Sequence, residues 1–205
     1  MSAGLVATVA GTPVAVAELD AAEARLRNGP RAAALPVSGT GEGRQLRRWL
    51  AQLIVTERVV AAEAAARGVN GQEAPGEAEL LPDVTARLEI GSIAAAALAD
   101  PRARALFADV TATVQVTDDD VANYHARNPL RFAAPLQAGH GWRAPSPVGP
   151  PLDRVRSAVA GHLRGAARRR TFRVWLDARR AEVVELAPGY EHPGDPRQPD
   201  NTHRH

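Results

Sequence analysis

The carboxyl-terminal stretch GYEHPGDPRQPDNTHRH carries the side chains best suited to binding a metal. His203 and His205 stand one residue apart, and an extended chain places such a pair on the same side. His192 lies upstream among acidic residues, and imidazole with carboxylate is a suitable ligand set for Zn or Ni. The sequence therefore permits a metal site on these three histidines. Two alternatives stay open: a solvated, flexible tail, or a tail that docks on a partner through Tyr190.

Three consecutive aspartates, residues 118–120, offer carboxylates to a cation. They directly follow Thr117, a residue type that commonly caps helices. Acidic side chains in the first turn of a helix are stabilised by its dipole by roughly 0.3–1 kcal/mol each. The sequence therefore favours a helix start over a cation site.

Arginines are concentrated in the last long segment before the tail. They are Arg168, Arg169, Arg170, Arg173, Arg179 and Arg180. Such a run could bind phosphate or an acidic protein surface. The alternative is a solvated helix face, with Phe172, Trp175 and Leu176 turned inward.

No group of residues has the spacing of a catalytic site. The sequence lacks cysteine, which excludes thiol catalysis, disulfides and cysteine metal sites. His125 and His162 are single histidines on predicted helices, and we interpret them as surface or structural residues. No Ser-His-Asp order, glycine-rich phosphate loop or pair of catalytic carboxylates is apparent. We therefore predict no catalytic residue and favour a non-enzymatic function.

Composition favours close-packed helices in a chain of 205 residues. Apolar residues make up 45% but aromatics only 4%, so alanine, valine and leucine must form the core. All 25 basic residues are arginine, which we attribute to a GC-rich bacterial genome. The net charge is only +2 and no nucleic-acid-binding motif is present, so we expect no nucleic-acid partner. No apolar run approaches the roughly 20 residues of a membrane span, and we expect a cytoplasmic protein.

The first half of the chain alternates short strands and helices. LVATVAGTPVAV predicts two strands joined by a turn at residues 11–13. A helix follows, and residues 28–41 form a loop. Residues 42–67 have the strongest helical periodicity, and Gly68 ends that helix. LPDVTARLEIGSIAAAALAD predicts one helix with Pro82 in its first turn.

The second half is helical up to a final strand. A helix restarts at Asp100, and another begins after Thr117 and ends near Asn128. Pro151 opens a long helix that continues to Arg180. AEVVEL predicts a short strand at the end.

The two terminal strands are expected to pair, because a short strand cannot satisfy its backbone groups alone. The fold class is then mainly α, with a small two- or three-stranded sheet. One domain, residues 1–186, would form from residues 1–132 and 151–186 around a Pro- and Gly-rich linker at 133–150. Residues 187–205 would be a flexible tail.

Four segments resemble the SurA/PrsA-type foldase chaperones, a peptidylprolyl isomerase family. VATVAGTPVAVAELD resembles their opening strand–turn–strand and helix, and LRRWLAQLIVTERVVAAEAAARGV resembles the next helix. VTDDDVANYHARNPLRF is similar to the segment that leads into their parvulin domain. PLDRVRSAVAGHLRGAARRRTFRVWLDARRAEVVEL resembles the helix and strand that return after it.

The resemblance implies a helical chaperone domain but also exposes a departure from the family. Between Phe132 and Leu152 the chain has only a linker, which is too short to form a parvulin domain with a buried pocket. The isomerase residues of the family have no matching positions here. The resemblance therefore implies a protein- or peptide-binding module without isomerase activity, whose oligomeric state stays open.

Apolar and aromatic side chains would form the binding surface for such a client. The candidates are Trp49, Leu53, Phe107, Tyr124, Phe132, Trp175 and Tyr190. For Trp49 and Trp175 core packing is the alternative. Two other functions stay open: a dedicated accessory protein of a biosynthetic enzyme or complex, and a metal-binding protein. No cofactor is predicted apart from Zn or Ni on the tail.

Overall fold

Helices make up most of the fold, and a small sheet joins early and late parts of the chain. The computed structural model describes residues 4–133 and 149–195. The strands are β1 (Leu5–Val9), β2 (Thr12–Ala15) and β3 (Val184–Leu186). The helices are α1 (Val16–Arg27), α2 (Gly41–Ala66), α3 (Glu77–Leu80), α4 (Val84–Ile90), α5 (Ser92–Ala97), α6 (Pro101–Val110), α7 (Asp118–Arg127) and α8 (Leu152–Val183), with a 3₁₀ turn at Ala32–Ala34. The predicted mainly α fold class is confirmed.

The first hairpin turns at Ala10 and Gly11, whose φ angles are 47° and 78°. A type I′ turn needs positive φ at both central residues, and it matches the twist of the flanking strands. Thr12 pairs with Val9 and belongs to β2. The turn predicted at residues 11–13 is therefore displaced toward the amino terminus.

Strand β1 lies at the centre of an antiparallel sheet with the order β2-β1-β3. Val9 pairs with Val184, and the Ala187 amide donates to the Val6 carbonyl at 2.9 Å. The late strand thus satisfies backbone groups of β1 that would otherwise need another partner. The predicted pairing of the terminal strands is confirmed.

Helix α2 is the central helix and packs against α1, α5 and α6. The Thr40 side chain caps its start by accepting a hydrogen bond from the Gly43 amide at 3.1 Å. Gly68 follows its end with a φ of 66°, a conformation that favours glycine. Val55 and Val59 on its inner face are completely buried. These features confirm the predicted helix and its stop.

The single helix predicted for LPDVTARLEIGSIAAAALAD is wrong, because Gly91 divides it into α4 and α5. Gly91 has φ 90° and ψ 148°, a backbone conformation that is essentially restricted to glycine. The Asp83 side chain accepts from the Ala86 amide at 2.8 Å and fixes the start of α4. Pro82 therefore precedes the helix cap and does not lie in the first turn.

The predicted starts of α6 and α7 are confirmed by side-chain caps. Asp100 accepts from the Arg102 amide at 2.8 Å. At α7 the Asp120 amide donates to Thr117 Oγ1 at 3.1 Å, and the Thr117 amide donates to Asp120 Oδ2 at 3.0 Å. This reciprocal pair is a capping box. The aspartates at residues 118–120 therefore occupy the first turn, as the helix-start interpretation requires.

Helix α8 connects α7 to the main body of the fold. Near its start it packs against α7, where Arg156 Nη1 lies 3.1 Å from Asp118 Oδ1. Farther along, Phe172 and Leu176 enter the hydrophobic core. The same helix therefore serves two packing environments along its 32 residues.

The final strand is shorter than the predicted AEVVEL segment. Helix α8 continues through Val183, and only Val184–Leu186 is extended. Within the last turn Arg179 Nη1 lies 2.7 Å from Glu182 Oε2, three residues farther along. Such i,i+3 pairs support helical structure. Ala181 and Glu182, at the start of the predicted strand, therefore belong to α8.

Candidate functional site

One face of α8 borders two hollows that share Arg173. The hollow nearer the start of α8 measures about 440 Å³ and the other about 480 Å³. Helix α8 lines them with residues that recur every three or four positions. They are Leu163, Ala166, Ala167, Arg170, Arg173, Leu176, Asp177 and Arg180. Residues 163–180 of a helix span about 25 Å. We call the two hollows together the α8 groove, and the larger one its distal hollow.

Apolar side chains from four helices and strands line the distal hollow. Ile90 and Leu176 are almost fully buried there, with 1% and 4% of their surface exposed. Leu186 on β3 is 37% exposed, and Ile93 on α5 is half-buried. A segment bound in this hollow would remove apolar surface from water, which favours association.

A hydrogen-bonded network holds Arg180 at the wall of the distal hollow. Its Nη1 donates to Thr56 Oγ1 and its Nη2 donates to Gln52 Oε1. Gln52 also donates from Nε2 to the Tyr190 carbonyl at 2.6 Å. Gln52 and Thr56 are 1% and 0% exposed, so the network joins α2 and α8 inside the protein. Burial lowers the pKa of Arg180, although an arginine stays protonated at neutral pH.

Charge compensation is incomplete along the α8 groove. The hydrogen-bond acceptors of Arg180 are all neutral. The Asp177 carboxylate attracts Arg180, but no ion pair to Arg180 occurs within residues 4–133 and 149–195. Arg173 donates to the backbone carbonyl of Glu89 at 3.2 Å. The Glu89 carboxylate itself pairs with Arg169, whose Nε lies 2.7 Å away. The groove therefore favours negatively charged groups.

Two of the predicted binding residues, Trp49 and Leu53, are half-buried on α2. Trp49 packs against the core, and its indole Nε1 donates to Ser92 Oγ at 3.1 Å. Ser92 lines the distal hollow. Trp49 thus contacts a residue of the α8 groove but does not line the groove itself. Gln52, on the same helix, lines the distal hollow directly.

Phe107 and Trp175 belong to an aromatic stack in the core, centred on Phe172. The Phe172 ring centroid lies 5.0 Å from that of Phe107 and 5.5 Å from that of Trp175. Phe107 is only 1% exposed, so a partner cannot reach most of its surface. Trp175 is half-buried, and the Arg67 guanidinium lies 5.4 Å from its ring centroid. These contacts favour the core-packing interpretation of Trp175.

The structure brings Tyr124 and Phe132 together around His162, a grouping that the sequence analysis missed. Tyr124 Oη lies 3.0 Å from His162 Nε2, and the Phe132 ring centroid lies 6.1 Å from that of His162. This cluster fastens α7 and the chain that follows it to α8. Tyr124 and Phe132 thus contact α8 at His162, whereas Trp175 contacts Phe172 farther along the same helix. The predicted binding residues therefore do not form one surface.

Tyr190 packs against the protein's own core, and residues 187–190 do not behave as a free tail. Besides the bond from Gln52 to Tyr190, Arg48 Nε donates to the Gly189 carbonyl at 3.3 Å. The predicted boundary of the tail at residue 187 is therefore too early. Docking of a partner through Tyr190 would have to displace these contacts.

The predicted metal ligands divide between described and undescribed parts of the chain. His192 lines the distal hollow, and its Nδ1 accepts from the Gly194 amide at 3.0 Å. His203 and His205 lie outside the described residues. Within residues 4–133 and 149–195, no group of three or more His, Cys, Asp or Glu side chains is arranged to hold a metal ion. The metal site on the tail stays a prediction.

The arginines of α8 lie on several sides of the helix and do not form one solvated face. Arg168 donates from Nε to Thr111 Oγ1 at 2.8 Å, and Arg179 Nε lies 2.6 Å from Glu63 Oε1. Arg169 is only 5% exposed. The solvated-face interpretation is wrong for Arg169, while the inward orientation predicted for Phe172 is confirmed.

The signal for the Arg180 network was present in α2. Gln52 and Thr56 are polar residues, four positions apart, among the valines and alanines of the buried face of α2. A buried polar pair of this kind requires hydrogen-bond partners. The sequence does not identify those partners, because Arg180 lies 128 residues from Gln52.

Stability should fall as the pH decreases through the range in which His162 titrates. Burial, together with the charge of Arg131, lowers the pKa of His162 below its ordinary value of 6.5. The unfolded chain therefore takes up a proton first, and the free energy of unfolding decreases as the pH falls below about 6.5. We expect His162→Gln to flatten this decrease in urea titrations between about pH 7.5 and 5. If His162→Gln left the pH dependence of the unfolding free energy unchanged, His162 would not be the cause of the decrease.

In the comparison with known families, a match is found only for the start of the chain. Residues 5–42, which include β1, β2 and α1, match a family of unknown function (DUF7158). Comparison with curated proteins and with solved structures gives no match. Among the described residues, no helix is both long enough and apolar enough to cross a membrane.

Proposed function

We propose that this protein is a chaperone-like module that binds an extended segment of a client protein or peptide. The α8 groove is the observation that carries the proposal. Each hollow has a volume typical of ligand sites, which are about 300–1,000 Å³. The length of about 25 Å would accommodate roughly seven residues of extended chain. Apolar walls with polar side chains between them suit peptide recognition.

Similarity to the foldase chaperones is part of this proposal. The sheet formed by early and late strands, and a capped α7 followed by the returning α8, agree with what that resemblance implies. The groove holds its ligand by contact and needs no chemical step. The cytoplasmic location predicted from the sequence stays a prediction.

Binding of an unfolded client is the test of the proposed function. We expect a fluorescently labelled client that cannot refold to bind at micromolar concentration, as measured by anisotropy. Leu186→Glu should weaken binding by about fivefold or more, because it removes apolar surface from the distal hollow and places a carboxylate there that competes with the client for the arginines. The matched control is Val37→Glu, at an apolar residue that is 71% exposed in the loop before α2. Absence of binding, together with no suppression of client aggregation, would contradict the proposal.

Prolyl isomerisation should proceed at the uncatalysed rate in the presence of this protein. The expectation follows from the segment between Phe132 and Leu152, which is too short for a parvulin domain. A short proline-containing peptide, followed by NMR exchange spectroscopy, provides the measurement. Acceleration in proportion to protein concentration would show that isomerase activity resides elsewhere in the chain.

A further inference from the structure

We propose that the α8 groove selects acidic extended segments and seats a carboxylate of the client against Arg180 and Arg173. This inference rests on the proposed function, because it specifies the chemistry of the client. It identifies the partner as a protein or peptide segment with acidic side chains among apolar ones.

The first argument is the environment of Arg180. Arg180 is half-buried, and partial removal of a charge from water favours its pairing with a group of opposite charge. Here Nη1 and Nη2 bond only to the Thr56 hydroxyl and to oxygens of Gln52. Among the described residues, the Nε hydrogen and one Nη2 hydrogen have no acceptor. A guanidinium in this state is prepared to bind a carboxylate.

The second argument is the charge along the whole groove. Three arginines line it: Arg170, Arg173 and Arg180. The two acids that line it are Glu89 and Asp177, and Glu89 is already paired with the buried Arg169. Three positive charges therefore face one carboxylate that is not already paired.

The third argument favours a peptide over a single-stranded nucleic acid. Nucleic-acid grooves combine positive charge with aromatic side chains on which bases stack. None of the described residues that line the two hollows is phenylalanine, tyrosine or tryptophan. Ile93 and Leu186 instead provide aliphatic surface, which matches apolar side chains of a peptide.

Three labelled octapeptides of one apolar sequence, carrying two glutamates, two glutamines or two lysines, test the inference by anisotropy. We expect the glutamate peptide to bind about tenfold more tightly than the glutamine peptide, and the lysine peptide to bind most weakly. Equal binding of the glutamate and glutamine peptides would overturn the inference and leave the proposed function standing. Binding of none of the three, nor of an unfolded client, would remove both. Tighter binding of a single-stranded RNA octamer than of the glutamate peptide would also overturn it.

Charge variants locate the preference in the groove. We expect Arg173→Gln to reduce glutamate-peptide affinity about fivefold and to leave glutamine-peptide affinity nearly unchanged. Arg154→Gln removes the same charge from an exposed position near the start of α8 and should leave both affinities within about twofold. Arg173→Glu should shift the preference toward the lysine peptide, which a loss of folding would not do. Equal effects of Arg173→Gln and Arg154→Gln would overturn the assignment to the groove.

Discussion

Replacing Phe172 with alanine is expected to lower the free energy of unfolding by about 3–5 kcal/mol. Phe172 is 1% exposed and contacts the rings of Phe107 and Trp175, so its removal leaves a cavity where α8 meets the core. Urea denaturation followed by circular dichroism measures the change. The control is Val174→Ala on the same helix, where 60% of the side chain is exposed.

A loss below about 1 kcal/mol for Phe172→Ala would contradict this account of the core, since a large loss is expected only for well-packed residues. The variant should also lower the denaturant midpoint without changing the slope, because the rest of the fold stays the same. Val174→Ala should change stability by no more than about 0.5 kcal/mol.

Separating the chain into residues 1–133 and 149–205 is expected to abolish folding of each fragment, while mixing them restores it. The first fragment loses β3 and the core residues Phe172 and Leu176. The second fragment keeps α8, whose inner face then has nothing to pack against. Most helical stability in proteins comes from tertiary packing, so an isolated α8 is marginal.

Circular dichroism and urea titration of each fragment, and of the equimolar mixture, provide the measurement. Cooperative unfolding should occur only in the mixture. A cooperative transition in residues 1–133 alone would show that this part is an independent domain, and would contradict a domain formed from both segments. The control is a mixture in which the fragment 149–205 carries Phe172→Gln. This mixture should not assemble.

Local sequence signals predicted much of the fold because they act over short distances. Thr117 and Asp120 lie three residues apart and fix the start of α7 by themselves. Gly68 similarly ends α2 through its own backbone conformation. The alternation in β1 and β2 indicated a hairpin, although the φ angles that set its turn involve Ala10, a residue type that rarely adopts positive φ.

Other errors arose where two local signals competed. The stretch around Gly91 contains good helix formers on both sides, and isolated glycines are tolerated within helices. Its φ of 90° ends α4, and the local sequence pattern does not indicate this conformation. Pro82 suggested a helix start, but the side chain of Asp83 provides the cap one residue later.

The candidate site could not be predicted because its parts are far apart in sequence. Arg180 reaches Gln52 across 128 residues, and Arg169 reaches Glu89 across 80. From the arginine run, both an affinity for phosphate or acidic surfaces and a solvated helix face were possible, and only the three-dimensional structure distinguishes the paired Arg169 from Arg180. The predicted aromatic candidates mark the core and the contact between α7 and α8, whereas aliphatic residues and arginines line the groove.

The most direct measurement is the NMR spectrum of the amide groups as the glutamate-containing octapeptide is added. The proposed function and its acidic preference predict that shifts concentrate along the groove face of α8, residues 163–180, together with residues 90–94 and Leu186. The glutamine peptide should shift the same signals at higher concentration. Shifts concentrated around Tyr124 and Phe132, or spread evenly over the protein, would contradict the assignment of peptide binding to the α8 groove.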